Sequence, residues 1–402
     1  MNIIYLSMSR LVDISGRGIY PDLMRKLVSE GHSVVIVSPR ERAFHQPTGI
    51  SFSEGATILG VRTLNLQKTN SIEKGIGQLL VGKQFMRAIK KRLNRRSFDL
   101  VLYSTPPITF HKAIKYLIRK NPHAKTYLLL KDIFPQNAVD IGLLSNSGIK
   151  GVLYSFFRKK ERELYHLSNY IGCMSPANVD YILKHNPEIL PQKIEVAPNS
   201  IQLVDRLVVN KSIIRQRYQL PIELPILIYG GNLGKPQGIP FLIECLNANA
   251  NRTDCHFVVI GNGTELPRIR KWYAETCPKS VTLMDHLPKE DYDLLVAACD
   301  IGLIFLDHRF TIPNYPSRLL PYLENKMPVI VATDCNSDTG KIAEENGYGF
   351  WCESNSVESF TLTIDKMLSS NIQSMGEAGY VFLCKNYLVQ NTYNAIMRHF
   401  IE

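Results

Sequence analysis

No part of the chain approaches 18 consecutive apolar residues, so no transmembrane helix is expected. The first residues, MNIIYLSMSR, lack a basic leader followed by a long apolar block, so no secretion signal is expected either. The eight cysteines stand at 173, 245, 255, 277, 299, 335, 352 and 384, none at the spacing of a metal or redox pair. Scattered among apolar neighbours, they suit reduced thiols of a cytosolic protein rather than disulfides. The basic stretches lack the interleaved aromatics of a recognition module, which argues against nucleic acid as a partner. An Asp-x-Asp triplet is present at Asp291-Tyr292-Asp293. It falls in a helical pattern, where side chains two apart diverge, so it predicts a solvated surface and no metal site.

Acid is scarce in one half only. Residues 1–200 hold 29 Lys and Arg against 14 Asp and Glu, a balance of +15 within a total of +11. The remaining residues come to −4. With 402 residues and a 45% apolar fraction, the chain predicts two or three soluble domains, and the charge contrast gives them different partners. Positive charge attracts nucleic acid, anionic lipid or a phosphorylated acceptor without choosing among them.

Apolar strand-like runs alternate with helical periodicity throughout. Asn2–Ser7, Ser33–Ser38, Asp99–Ser104, Thr126–Leu130, Tyr170–Met174 and Ile194–Ala197 read as strands of one parallel sheet. Residues 40–70 read as irregular apart from a possible strand at VRTLNL, and the regular pattern lapses again near residue 200, where a domain boundary is expected. Between Ile72 and Phe98 a helix is expected, with Leu79, Leu80, Phe85, Met86, Ile89 and Leu93 as its packed stripe. Lys83, Arg87, Lys90, Lys91, Arg92, Arg95 and Arg96 would crowd its other face, either solvated or against an anionic membrane. The Gly16-Arg17-Gly18 loop after the first strand either approaches a ligand or only turns the chain. Asp132 follows the strand Thr126–Leu130, at the carboxyl end where parallel sheets bind ligands. It is a candidate catalytic or acceptor-orienting residue, or else a helix N-cap or a Lys-paired carboxylate.

In the second half, ILIYGGNLGKPQG (226–238) joins a buried strand, a glycine-rich turn and the start of an amphipathic helix. That combination builds an anion site, with Lys235 adding a full charge; the plain alternative is a tight turn with no ligand. Further strands are expected at His256–Ile260, Val281–Met284, Asp300–Phe305, Val329–Ala332 and Gly349–Trp351, with helices Val357–Ser370 and Ser374–His399 at the end.

With these features in order, the chain resembles the GT-B glycosyltransferases, specifically glycosyltransferase family 4 and its bacterial subgroup that adds amino- or deoxyhexoses (N-acetylfucosamine-type transferases) to surface polysaccharides. The resemblance spans nearly the whole chain. It rests on Gly16–Gly18, Lys131-Asp132-Ile133-Phe134-Pro135, Pro198-Asn199, Gly231-Asn232-Leu233-Gly234, Gly261-Asn262-Gly263, Pro316-Ser317-Arg318 and Lys326-Met327-Pro328-Val329-Ile330. It implies an α/β fold of two Rossmann-like domains, 1–200 for the acceptor and 201–380 for the donor, facing each other across a cleft. Residues 381–402 would form a helix returning to the first domain.

The implied activity moves a hexose or aminodeoxyhexose from a nucleoside diphosphate, UDP favoured, to a polyprenyl-pyrophosphate-linked glycan in capsule, O-antigen or exopolysaccharide assembly. The implied reaction is retaining and metal-independent, with no cofactor, and takes place at the cytoplasmic face of the membrane. The resemblance places donor binding on Gly231, Asn232, Gly234, Lys235, Gln237, Gly261, Asn262, Gly263, Leu287, Tyr315, Ser317 and Arg318. It gives acceptor binding to Gly16, Arg17 and Gly18, and a catalytic role to Asp132.

Two departures stand out. Asn232 and Gln237 occupy positions where many members carry Arg and Lys, and the family's paired glutamates would fall at Pro313 and Pro321. A sugar-nucleotide epimerase of the same shape, or a non-catalytic sugar-nucleotide-binding subunit, therefore remains a rival reading.

Overall fold

Short runs of Val, Ile and Leu, buried on both faces, make the strands of two separate sheets. The computed structural model describes residues 1–66, 71–204 and 209–400. They fall into two units, Met1–Gln202 with Leu388–Glu402, and Leu203–Tyr387.

The first unit holds β1 (Asn2–Leu6), β2 (Ser33–Glu41), β3 (Gly49–Ser53), β4 (Ala56–Thr63), β5 (Leu100–Ser104), β6 (Lys125–Leu130), β7 (Tyr170–Cys173) and β8 (Ile194–Val196). Their order is β3-β4-β2-β1-β5-β6-β7-β8, parallel except for the β3–β4 hairpin. The order reverses between β1 and β5, which opens a ligand crevice at the carboxyl ends of those strands. Ile3, Tyr5, Ile36, Leu100 and Leu102 form the core with Leu23, Met24 and Leu27 of the helix Ile19–Ser29 and with Ile396 from the end of the chain.

The β3–β4 hairpin corrects the irregular reading of residues 40–70. Its turn is Glu54-Gly55, with φ of 46° and 77°. Two left-handed residues in a two-residue loop match the right-handed twist of the flanking strands. Residues 67–70 of the expected irregular stretch lie outside the described residues. The helix Ser71–Arg92 is present, but Leu79 and Leu80 are exposed, contrary to the expected stripe. The cause is Gly82. A Cβ there would sit 2.1 Å from the Thr109 carbonyl oxygen, so the helix rests on backbone at this point. It buries Val81, Phe85, Ile89 and the following Leu93, and turns residues 79 and 80 outward.

The second unit holds β9 (Ile226–Asn232), β10 (His256–Asn262), β11 (Val281–Met284), β12 (Ile301–Phe305), β13 (Val329–Thr333) and β14 (Gly349–Glu353). The order is β11-β10-β9-β12-β13-β14, all parallel, reversing between β9 and β12. Leu227, Tyr229, Leu242, Phe257, Leu303, Phe305 and Phe360 anchor its core.

Two short helices appear where none is expected, Lys211–Arg217 and Thr339–Glu345. The first is pinned by one side chain. Arg215 donates to the carbonyls of Ala298, Ile222 and Leu224 and to Asp300. The single helix expected over 374–399 is two, Ile372–Asn386 and Val389–Met397. The break comes where Leu388 bridges to Ile201 and the Val389 amide donates to the Ile201 carbonyl. All eight cysteines are free thiols, five of them buried. Among the described residues no helix is long and apolar enough to cross a membrane.

Candidate functional site

The stretch 226–238 does not turn at its first glycines. β9 and β10 run on together, pairing Gly230 with Ile260, Gly231 with Gly261 and Asn232 with Asn262. A 3-10 turn, Lys235–Gln237, then precedes the helix Ile239–Ala248, and Gly238 makes the entry at φ 59°. Most of the glycines answer to packing. A Cβ on Gly230 would lie 2.1 Å from the Tyr292 hydroxyl, one on Gly261 1.8 Å from the Gly231 oxygen, and one on Gly263 2.2 Å from the Leu233 oxygen. Gly231 differs. Its φ of 125° excludes most side chains, and the nearest atom to a Cβ there would be Nη2 of Arg318, at 3.6 Å.

Arg318 lies on that open face. Its guanidinium carbon is 4.4 Å from the centre of the Tyr229 ring, worth about 0.5–2 kcal/mol of cation–π attraction. Tyr292 and Tyr322 complete the surround. Burial pushes the Tyr292 phenol up to about 12 and raises those of Tyr229 and Tyr322, so all three stay neutral. The hydroxyls of Tyr229 and Tyr322 are spent on the backbone, donating to the Asn232 and Ile228 carbonyls at 2.8 and 3.1 Å. Nη1 of Arg318 is buried with no hydrogen-bond partner among the described residues. A charged donor left so costs on the order of 1–3 kcal/mol until an anion meets it.

The loop amides are less available than the sequence suggests. The Leu233 amide donates to the Asn262 carbonyl, and the Gly234 amide to Gln237 Oε1 at 3.3 Å. Asn232 Nδ2 donates to the same oxygen at 2.8 Å. Asn232 and Gln237 thus close the loop as a neutral pair, and Lys235 between them is exposed. Ser317 is exposed beside Arg318, Leu287 is half-buried in the link after β11, and the Tyr315 hydroxyl meets that of Tyr387. Pro321 sits within the helix Leu319–Glu324 and Pro313 in the loop before it.

Sequence reading missed Asp307, just beyond β12. Burial would raise its carboxyl, but three donors on Arg309 hold it below the usual range. Its amide donates to the Pro236 carbonyl, which ties this loop to the Lys235 turn. The strand-end rule that points to Asp132 would have found it. The tyrosine surround carries no such signal, because its members are far apart in the chain.

In the first unit the matching strand ends carry the opposite charge. Asp132 follows β6. Its carboxyl is pushed up to about 6 by burial, against a 3.5 Å contact from Asn137 Nδ2. It is not paired with Lys131, whose ammonium donates to the Ala197 carbonyl at 3.0 Å and is lowered to about 7 by burial. Nor does it cap a helix; Pro135 holds the N-cap of Gln136–Asp140. Near it is Tyr20, whose phenol is raised by burial and then by the Asp132 charge; the Tyr20 ring lies 5.7 Å from that of Tyr5, which shares a 3.1 Å hydrogen bond with Ser104.

The Gly16–Gly18 loop is braced from behind. Arg25 donates to the Gly16 carbonyl at 2.7 Å, and the Gly18 amide donates to Asp22 at 3.1 Å. The space a Cβ on Gly16 would enter is open, and Arg17 is half-buried.

Among the described residues no three His, Cys, Asp or Glu side chains converge as a metal would require. Asp291 pairs with Arg217 at 2.9 Å and Asp293 with Lys289 at 2.7 Å, so both are engaged in surface ion pairs.

Residues 210–380 match the model of the family described as Glycosyl transferases group 1. Among curated relatives, the probable glycosyltransferase WbjE of Pseudomonas aeruginosa is 23% identical over 80% of this chain and 78% of its own. Sucrose-phosphate synthase of Thermosynechococcus elongatus superposes with a TM-score of 0.78 at 13% identity, over 100% of this chain and 98% of its own. HepE of Anabaena, solved in complex with UDP, gives 0.67 at 12% over 100% and 99%. WaaG, a glycosyltransferase involved in lipopolysaccharide biosynthesis, gives 0.63 at 13% over 98% and 99%. Residues 210–380 thus resemble a Glycosyl transferases group 1 domain, and the chain that carries them has the GT-B glycosyltransferase fold.

Proposed function

We propose that the protein transfers a hexose or aminodeoxyhexose from a UDP-sugar to a lipid-linked glycan during assembly of a bacterial surface polysaccharide. The observation that carries this reading is the guanidinium of Arg318, seated on Tyr229 and the open face of Gly231 with a buried N–H unpaired. An anion is the missing partner. In the reaction, the bond between the anomeric carbon and the diphosphate oxygen breaks, and its electron pair stays on the diphosphate. Arg318 and Lys235 stabilise that charge as it develops, the kind of effect that supplies about 2.7–4 kcal/mol per donor in other enzymes. The acceptor hydroxyl forms the new bond, and Asp132 orients it and takes its proton. A carboxyl near pH 6 is ionised at neutral pH yet basic enough for that task. The family resemblance adds retention at the anomeric carbon and independence of metal.

UDP is favoured because HepE, which shares the fold, is solved with UDP. The polysaccharide pathway is favoured because WaaG, which shares the fold, is involved in lipopolysaccharide biosynthesis. The test is incubation with a panel of UDP-sugars and a short polyprenyl-pyrophosphate glycan, with and without chelator. UDP release and an extended lipid product are expected, and the product's anomeric configuration reads retention. Epimerised UDP-sugar without acceptor would favour an epimerase, and tight UDP binding without turnover a non-catalytic subunit.

A further inference from the structure

The helix Gly148–Leu167 is packed on one side only. On that side the Tyr154 hydroxyl donates to Gln136 Oε1 at 3.2 Å, and Phe157 meets Phe134 edge-on at 5.1 Å. Both partners belong to the segment that carries Asp132. The other side is bare. Ile149 is 92% exposed, Val152 73%, and Leu153 and Phe156 43% each. Their spacing of three, four and seven residues gathers them into one arc of the helix.

Lys150 and Lys159, both exposed, bracket the arc, and no acidic residue occurs between Ile141 and Lys160. The acids beyond it are engaged, Glu161 with Arg158, and Glu163 with Lys115 and Lys160. The helix Ser71–Arg92 repeats the pattern. Ile76, Leu79 and Leu80 are exposed, and Lys83, Arg87 and Lys90 continue the same stripe, with no acid between Gly75 and Phe98. Both helices rest on the same turn, Ile108–Phe110.

We propose that these two helices dock the first unit on an anionic lipid bilayer. The apolar arcs enter the interface, and the flanking lysines and arginines meet headgroup phosphates. Charge complementarity selects this occupant, because two apolar arcs edged by cations and free of acid match a surface that is apolar beneath and negative above. Neither helix spans the bilayer; each lies along it. The inference deepens the lipid-linked acceptor reading, since the docked helix also holds the segment of Asp132.

The test uses the full chain with vesicles of phosphatidylcholine alone or mixed with phosphatidylglycerol. Co-sedimentation with the mixed vesicles only is expected. The double variant Val152→Asp, Phe156→Asp should lose at least about tenfold in vesicle affinity, with its melting curve and its stabilisation by UDP unchanged. Independently, Phe156→Trp should shift its emission to the blue on mixed vesicles and be quenched by brominated lipid. The proposal is overturned if the wild type ignores anionic vesicles, if the double variant binds them as tightly, or if the new Trp emission does not move. It is also overturned if the variant dissociates a dimer while vesicle binding persists, which would give the arc to a second copy. Vesicle binding by a chain that neither binds UDP nor transfers sugar would sink the proposed function and leave this docking intact.

Discussion

Each sheet has a charged side chain near the carboxyl end of one of its strands, and the two charges are opposite. Asp132 follows β6 and forms no ion pair among the described residues, with Asn137 at 3.5 Å and Tyr20 under the influence of its charge. Beside Gly231 near the end of β9, Arg318 forms no ion pair among the described residues and is surrounded by three neutral tyrosines. Folding alone would favour neutralising each charge locally, as Asp307 is neutralised by Arg309. Under the proposed function, the first would meet a group that gives up a proton and the second a group that brings negative charge.

The largest effect should come from the carboxylate. Asp132→Asn is expected to lower kcat by about 10²–10⁴ while UDP still stabilises the protein, read by coupled UDP release and thermal shift. The pH dependence has a definite sign. The carboxyl is raised in the folded state, so activity should fall as pH drops through about 6, where the base becomes protonated. Stability runs the other way. The folded state holds its proton more tightly than the unfolded chain, so stability declines as pH rises from about 4 to about 6. Asp132→Asn should therefore be more stable than wild type at neutral pH, by about 1–2 kcal/mol after allowance for partial solvation.

The counterpart is Arg318→Met. Transfer should fall about 10²–10³-fold and stabilisation by UDP should vanish, with the ligand-free melting temperature unchanged or higher because an unpaired buried donor is gone. A smaller effect is expected from Gly231→Ala, whose φ of 125° would strain the backbone by about 1–3 kcal/mol and lower the melting temperature by a few degrees. The smallest is Gly16→Ala. The space there is open, so melting should not change, whereas a raised KM for the acceptor alone would show that the loop meets ligand.

Much of this was legible in order but not in depth. Strands such as Val329–Ala332 show in the sequence because a run buried on both faces is apolar throughout. The β3–β4 hairpin was missed because Glu54-Gly55 is less distinctive than Asn-Gly, although it adopts the same left-handed pair. The exposure of Leu79 and Leu80 was hidden because it is decided by Gly82 lying on Thr109, a contact 27 residues away. The glycine loop shows the same limit. Its position at a strand end was readable, but Gly261 and Gly263 serve the packing of β9 against β10, which only the paired strands reveal. The strand-end rule singles out Asp132 as a candidate, but its raised carboxyl is not readable from the sequence, since burial is a property of the fold.

Calorimetric titration of UDP into the wild-type chain and into Arg318→Met bears most directly on the claim that this guanidinium awaits a diphosphate. The account predicts saturable binding to the wild type and at least about a tenfold weaker Kd for the variant, the minimum for losing a charged hydrogen bond. Equal affinity in the two proteins, or no binding of UDP to the wild type, would contradict it.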